Sequence, residues 1–132
     1  KTRHEHILKM SGKTAVCVRE ALQALKHIYG SIFSKVFKTI TADNGSEFSQ
    51  LSESLEPTQQ VYYTHPYTSC ERGTNERHNG LIRRFIPKGK SMDDIQDSLI
   101  AYVENWCNTL PRKLLGYRST SDVFHEELKA IT

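Results

Sequence analysis

Between Val36 and Ala42 the chain strings together β-branched and aromatic residues (VFKTITA), and the run breaks at Asp43-Asn44-Gly45. This reads as a strand closed by a tight turn, because Asp, Asn and Gly each favour turn backbone for a physical reason of their own. Ahead of it, Val18, Leu22, Leu25 and Tyr29 recur at helical spacing within Lys13 to Tyr29, and Gly30 supplies a stop. Residues 3–10 (RHEHILKM) read as a strand before that helix. After the turn come a short helix over about 46–55, a strand from Val61 to Thr64 and a polar loop over 65–73. Strand, helix, strand, helix, strand and then helices is the order of an α/β fold. At 132 residues the chain has the length of one domain, 1–132, with a core of its own.

The next helix, about Thr74 to Phe85, has two distinct faces. His78, Leu81, Ile82 and Phe85 fall on one, and Glu76, Asn79 and Arg83 on another. It should pack through the first and present Glu76 and Arg83 together on the second, until Pro87 ends it. Ser91 resembles an N-cap for a helix over roughly Met92 to Leu110, with Ile95, Leu99, Tyr102, Val103 and Trp106 as its core stripe. A final helix is expected over about Ser121 to Ala130.

The charge is unevenly spread. Residues 72–90 hold Arg72, Arg77, Arg83, Arg84, Lys88 and Lys90 against Glu76 alone, although the whole chain carries only +3. A concentrated basic segment is the electrostatic footprint of a polyanion partner, DNA or RNA, against the plainer reading of a solvated helix face. No apolar run approaches the ~20 residues of a bilayer span, so no membrane partner is expected. Cys17, Cys70 and Cys107 are odd in number and widely spaced, which indicates neither a disulfide framework nor a zinc site. Gly12-Lys13-Thr14 lacks the upstream glycine of a phosphate-binding loop, since Ile7 stands there. The sequon Asn44-Gly45-Ser46 has no secretory context.

Asp43 closes a strand, where open α/β sheets place ligands, and Glu76 opens a helix rich in arginine. Each has a bland explanation: Asp-Asn-Gly turns by itself, and an acid near a helix N-terminus complements the dipole. Together, carboxylates beside a phosphate-attracting surface suit metal-assisted phosphoryl transfer, in which two ions stabilise the attacking and leaving oxygens. Mg²⁺ takes a few carboxylates together with water and substrate phosphates. Arg83, two turns along from Glu76, could hold a phosphate beside it.

The runs T-A-D-N-G-S-E-F at 41–48 and H-P-Y-T-S-C-E-R-G-T-N-E-R-H-N-G-L-I-R-R-F-I-P-K-G at 65–89 closely resemble bacterial transposases of the insertion-sequence thirty family. The resemblance continues through W-C-N-T-L-P-R-K-L-L-G-Y at 106–117. It implies a ribonuclease H-like integrase catalytic core with an Asp-Asp-Glu site, in which Asp43 and Glu76 are the second and third catalytic carboxylates and metal ligands. It makes Arg83 a DNA-contacting residue and Arg72, Asn79, Arg84 and Lys88 further DNA contacts. Mg²⁺ or Mn²⁺, two ions in a complete site, is the implied cofactor. DNA, as transposon ends and target, is the implied partner, with a homo-oligomer working in the bacterial cytoplasm at the nucleoid.

The family's first aspartate has no counterpart here. The acids before Asp43 are Glu5 and Glu20, in what read as the strand over 3–10 and the first helix, and neither matches it. The expectation is therefore a core truncated at its N-terminus, with the first two strands missing and little activity alone. A non-catalytic DNA-binding remnant is the alternative, and a general ribonuclease H-like nuclease a third. Cys70 and Thr120 stand where the family often has Trp and Pro.

Overall fold

The computed structural model describes residues 1–64 and 73–132, with the backbone alone for residues 73–75. Among the described residues the architecture is mixed α/β with two small sheets. The chain divides into two compact units, Met10–Arg72 and the combination of Lys1–Lys9 with Gly73–Thr132.

The first of these units is built on helix α1, Ala15–Tyr29. Thr14 caps it: its hydroxyl accepts from the Cys17 backbone N–H, so the Lys-Thr pair begins a helix. At the other end Gly30 takes φ 55°, a left-handed conformation that glycine enters without strain, and its N–H donates to the Lys26 carbonyl. A short helix α2, Phe33–Val36, follows and buries Phe33. The Phe33 and Tyr29 rings both pack on Phe37. The helical turn takes up the first residues of the expected strand, so β1 covers only Thr39–Ala42.

β1 pairs in parallel with β2, Gln60–Tyr63, in the register Thr39 to Gln60 through Ala42 to Tyr63. Parallel strands need a long crossover. Here it holds two 3₁₀ turns, Ser46–Phe48 and Leu51–Ser54, in place of the expected helix. Both turns pack on α1, and the Lys26 ammonium donates to the Ser54 carbonyl.

The other unit contains α3, Gly73–Ile82, α4, Asp97–Thr109, and α5, Thr120–Ile131. Between α4 and α5 lies a small antiparallel pair, β3, Pro111–Arg112, and β4, Arg118–Ser119. Its apolar centre is Ile86, Ile95 and Ile100, with Ile7, Ile82, Phe85 and Leu99 packed around them. Of the expected stripe of α4, Ile95 and Val103 are buried and Leu99 packs on the apolar centre, whereas Tyr102 is 58% exposed; Ile100 and Cys107 are buried as well. Ile95 precedes the helix, in extended backbone (φ −92°, ψ 119°). Ser91 does cap, but the turn it caps is the short one at Met92–Asp94.

Residues 1–10 form no strand. Side chains of α4 take the place of a neighbouring strand. The Glu5 N–H donates to Asn108 Oδ1 at 2.9 Å, Asn108 Nδ2 returns a bond to the Glu5 carbonyl at 2.8 Å, and the Ile7 N–H donates to Glu104 Oε2 at 2.9 Å. Asn108 Oδ1 also accepts from the Thr120 hydroxyl at 2.9 Å, which brings in α5. Replacing Asn108 with Ala would leave the Glu5 backbone N–H and carbonyl short of partners, while the Thr120 hydroxyl would keep the residue-108 backbone carbonyl. The expected loss is about 2–4 kcal/mol of unfolding free energy, read by urea denaturation. A loss under about 0.5 kcal/mol, the range of ordinary surface substitutions, would contradict this role.

Candidate metal and nucleic-acid site

Asp43 directly follows β1 and is half-buried. Its Oδ1 accepts the Gly45 N–H at 2.9 Å, closing the turn that the sequence called for. The next residue fixes where that turn sits: Asn44 Nδ2 donates to the Thr64 carbonyl at 2.6 Å, and the Thr64 N–H donates to the Ala42 carbonyl at 2.9 Å. The carboxyl ends of β1 and β2 are thus stitched together beside Asp43.

Sequence reasoning passed over Glu47. Its side chain is buried on the same turn, 3.8 Å from the exposed Lys13 ammonium, and it lies over Gly45. A Cβ on Gly45 would come within 2.6 Å of the Glu47 carboxylate. Gly45 has an ordinary φ of −61°, so its backbone does not call for glycine, and a side chain there would displace the end of the Glu47 side chain. An acid inside a turn otherwise made of small polar residues was the available signal, but nothing in the sequence said that it would be covered.

Glu76 stands in the first turn of α3, exposed, with Asn79 and Arg83 also exposed further along. His78, two residues from Glu76, is 7% exposed. The two-faced helix therefore forms as its spacing requires, although it ends at Ile82 and the residues to Phe85 continue as turns. Arg83 donates to the Ile86 carbonyl at 3.3 Å, and Arg84 and Lys88 are exposed just beyond. Arg72 lies outside the described residues. Asp43 belongs to one unit, and Glu76, Asn79, Arg83, Arg84 and Lys88 to the other.

Beneath α3 is a polar cluster that the sequence did not announce. His78 Nδ1 lies 3.4 Å from Glu5 Oε2, at a site that also includes Cys107 and Arg112. Burial pushes Glu5 up from the carboxylate range, and burial, with Arg112, Arg3 and Arg77, pushes His78 down. Burial and the neighbouring Glu5 push the Cys107 thiol up to about 11. Since burial disfavours charge on both partners, the His78–Glu5 approach is a packed polar contact rather than a strong ion pair, and Glu5 Oε2 makes no hydrogen bond.

Both candidate metal ligands offer hard carboxylate oxygens, the donor type that Mg²⁺ and Mn²⁺ take. Among the described residues no group of three or more His, Cys, Asp or Glu side chains could hold a metal ion. His4 and His6 form an aromatic cluster with Phe124, His4 stacking on it at 4.1 Å. Among the described residues no helix is long and apolar enough to cross a membrane.

The His4 cluster makes stability depend on pH. Burial, with His6 and His125 nearby, lowers the His4 pKa from 6.5 to about 4, and His6 moves in the same direction through burial. Between 6.5 and about 4 the unfolded chain binds a proton that the folded chain refuses, so this stability is complete above 6.5 and is lost as pH falls toward 4. The raised carboxyl of Glu5 works in the opposite direction, losing stability as pH rises through its folded value. The His4 change is expected to dominate: melting temperature should be lower at about pH 4.5 than at about pH 7, and His4→Phe should shrink the difference. Equal melting temperatures at the two values in the parent chain would contradict it.

No protein-family model matches the chain. It is 41% identical over 122 residues to the transposase for insertion sequence element IS4351 of Bacteroides fragilis, covering 91% of this chain and 36% of that protein. It is 41% identical over 125 residues to the probable transposase for insertion-like sequence element IS1161 of Streptococcus salivarius, covering 93% and 34%. Against transposase InsI for insertion sequence element IS30C of Escherichia coli K12 it is 32% identical over 124 residues, covering 93% and 32%. The chain thus spans about a third of the length of these relatives. Matched along nine-tenths of its own length, the chain is similar by sequence to transposases of bacterial insertion sequences, IS30 among them.

Proposed function

We propose that this chain is part of the ribonuclease H-like catalytic core of a DNA transposase, with Asp43 and Glu76 as metal-binding carboxylates. The observation that carries the reading is the exposed face of α3. Glu76, Asn79 and Arg83 are presented together on it, Arg84 and Lys88 follow, and the opposite side is anchored through His78. Its support is the relation to transposases over nearly the whole chain.

In the whole protein the reaction would be two in-line displacements at phosphorus. Water attacks a phosphodiester at the transposon end and releases a 3′-hydroxyl. That hydroxyl then attacks a target phosphodiester, forming one P–O bond as another breaks, with the displaced strand leaving as a 3′-hydroxyl. Asp43 and Glu76 would each offer carboxylate oxygens to a divalent ion, which would supply Lewis acidity at the phosphoryl oxygens. Arg83 would hold the phosphate, since its planar guanidinium matches that geometry. The Asp43 turn and the buried side of α3 would supply orientation, on which phosphoryl transfer chiefly depends.

One observation favours the second reading, a DNA-binding piece that does not cut. The family's first aspartate has no match, and Glu5, one of two acids preceding Asp43, is spent in a buried contact with His78. The chain alone is accordingly expected to bind DNA without processing it. Fluorescence anisotropy should show affinity falling steeply with salt, weakening for Arg83→Ala and Arg84→Ala and surviving Asp43→Asn and Glu76→Gln. Binding indifferent to salt and to both arginines would count against DNA as the partner. Mg²⁺-dependent cleavage by this chain, lost in Glu76→Gln, would instead establish it as catalytic on its own.

A further inference from the structure

The turn between β3 and β4 carries an arrangement that folding does not explain. Lys113–Leu115 forms a 3₁₀ turn, closed by Gly116 at φ 65° and then Tyr117 at φ 66°. The Tyr117 N–H donates to the Arg112 carbonyl at 2.8 Å and the Gly116 N–H to the Lys113 carbonyl at 3.1 Å, so hydrogen bonds fix the left-handed pair in place. Glycine enters that conformation freely, whereas a bulky residue there is an outlier. A tyrosine would be accounted for if its ring were packed, but Tyr117 is 70% exposed and Leu114, on the same turn, 73% exposed. The strained residue thus carries a ring that lies in solvent.

The chemistry around the ring indicates what would cover it. From Trp106 to Ser119 the chain has Arg112, Lys113 and Arg118 and no acid. Arg112 is buried, Lys113 is exposed on the same turn as the ring, and Arg118, also exposed, is paired with Glu126 at 2.5 Å. An exposed aromatic beside an exposed lysine suits a nucleic-acid strand: bases stack on the ring whatever their identity, and the cation meets a phosphate.

We propose that the Lys113–Arg118 turn is a second DNA contact, distinct from the exposed face of α3, at which Tyr117 stacks on an unpaired base while Lys113 meets the adjoining phosphate. This rests on the DNA reading above and deepens it by naming a strand with an accessible base as what the turn recognises.

The test compares the 132-residue chain with Tyr117→Gly and Tyr117→Phe, using a labelled single-stranded oligonucleotide of mixed sequence, its duplex and a thermal melt. Tyr117→Gly relieves the left-handed strain, so its melting temperature should equal or exceed that of the parent. Its single-strand affinity should nevertheless fall about 5-fold to 100-fold, with a smaller change on duplex. Tyr117→Phe keeps the ring and should stay within about twofold of the parent. Lys113→Ala should lower the salt slope by about one. Unchanged binding by Tyr117→Gly in a parent that binds DNA would overturn this contact and leave the DNA reading standing. A lower melting temperature for Tyr117→Gly would show that the fold uses the ring, and would also overturn the proposal. A parent that binds neither oligonucleotide would overturn both readings.

Discussion

The Asn108 side chain holds together the unit that carries Glu76. Its amide treats the Glu5 backbone as a neighbouring strand would, accepting from the N–H and donating to the carbonyl, while its oxygen also accepts from Thr120. A buried backbone segment must satisfy its polar groups somewhere. Here one helix supplies partners to alternate residues of an extended segment, Asn108 at Glu5 and Glu104 at Ile7. That fixes the register of residues 1–9 and so sets Glu5 against His78. The face of α3 opposite His78 follows from this, because a helix pinned on one side has its other side determined.

The Asp43 turn shows a different kind of control. Parallel strands as short as β1 and β2 gain little from four residue pairs alone. Asn44 adds a side-chain bond from the end of one strand to the residue after the other, and Asp43 closes its own turn with a backbone bond. The two polar side chains that make the sequence turn therefore also place the turn in space. Glu47 fills the volume that Gly45 leaves open, so substitution at either position bears on the other.

What the sequence made legible was local. Gly30 ends α1 as its sequence position indicated, through capping chemistry that acts within one turn, whereas the Thr14 cap was not read. The two faces of α3 follow from spacing alone, and His78 is buried while Glu76, Asn79 and Arg83 are exposed. The strand expected over 3–10 failed because its partner is a side chain 103 positions away, and β-propensity does not distinguish an amide from a strand as the acceptor. The stripe of α4 held at Ile95, Leu99 and Val103 and failed at Tyr102, and Ile95 reaches the core from extended backbone before the helix begins. Glu47 and the Glu5–His78 contact were hidden for one reason: a charged residue in sequence reads as exposed, and its burial depends on neighbours that only the fold brings together.

The distribution of anchoring along α3 bears on the chemistry proposed for it. Its C-terminal end and the turns beyond are held by apolar burial, with Ile82, Phe85 and Ile86 in the cluster around Ile95 and Ile100. From Glu76 to Gly80 the helix is polar throughout, and its buried contact there is His78 against Glu5. Among the described side chains, the half that bears Glu76 therefore sets a buried histidine against Glu5, and the other half sets apolar groups against the cluster. A contact at 3.4 Å in which Glu5 Oε2 makes no hydrogen bond adds little directional constraint of its own. The orientation of Glu76 is thus carried by the helix and by the apolar end that packs it, while His78 keeps one side of the helix buried at a cost in desolvation.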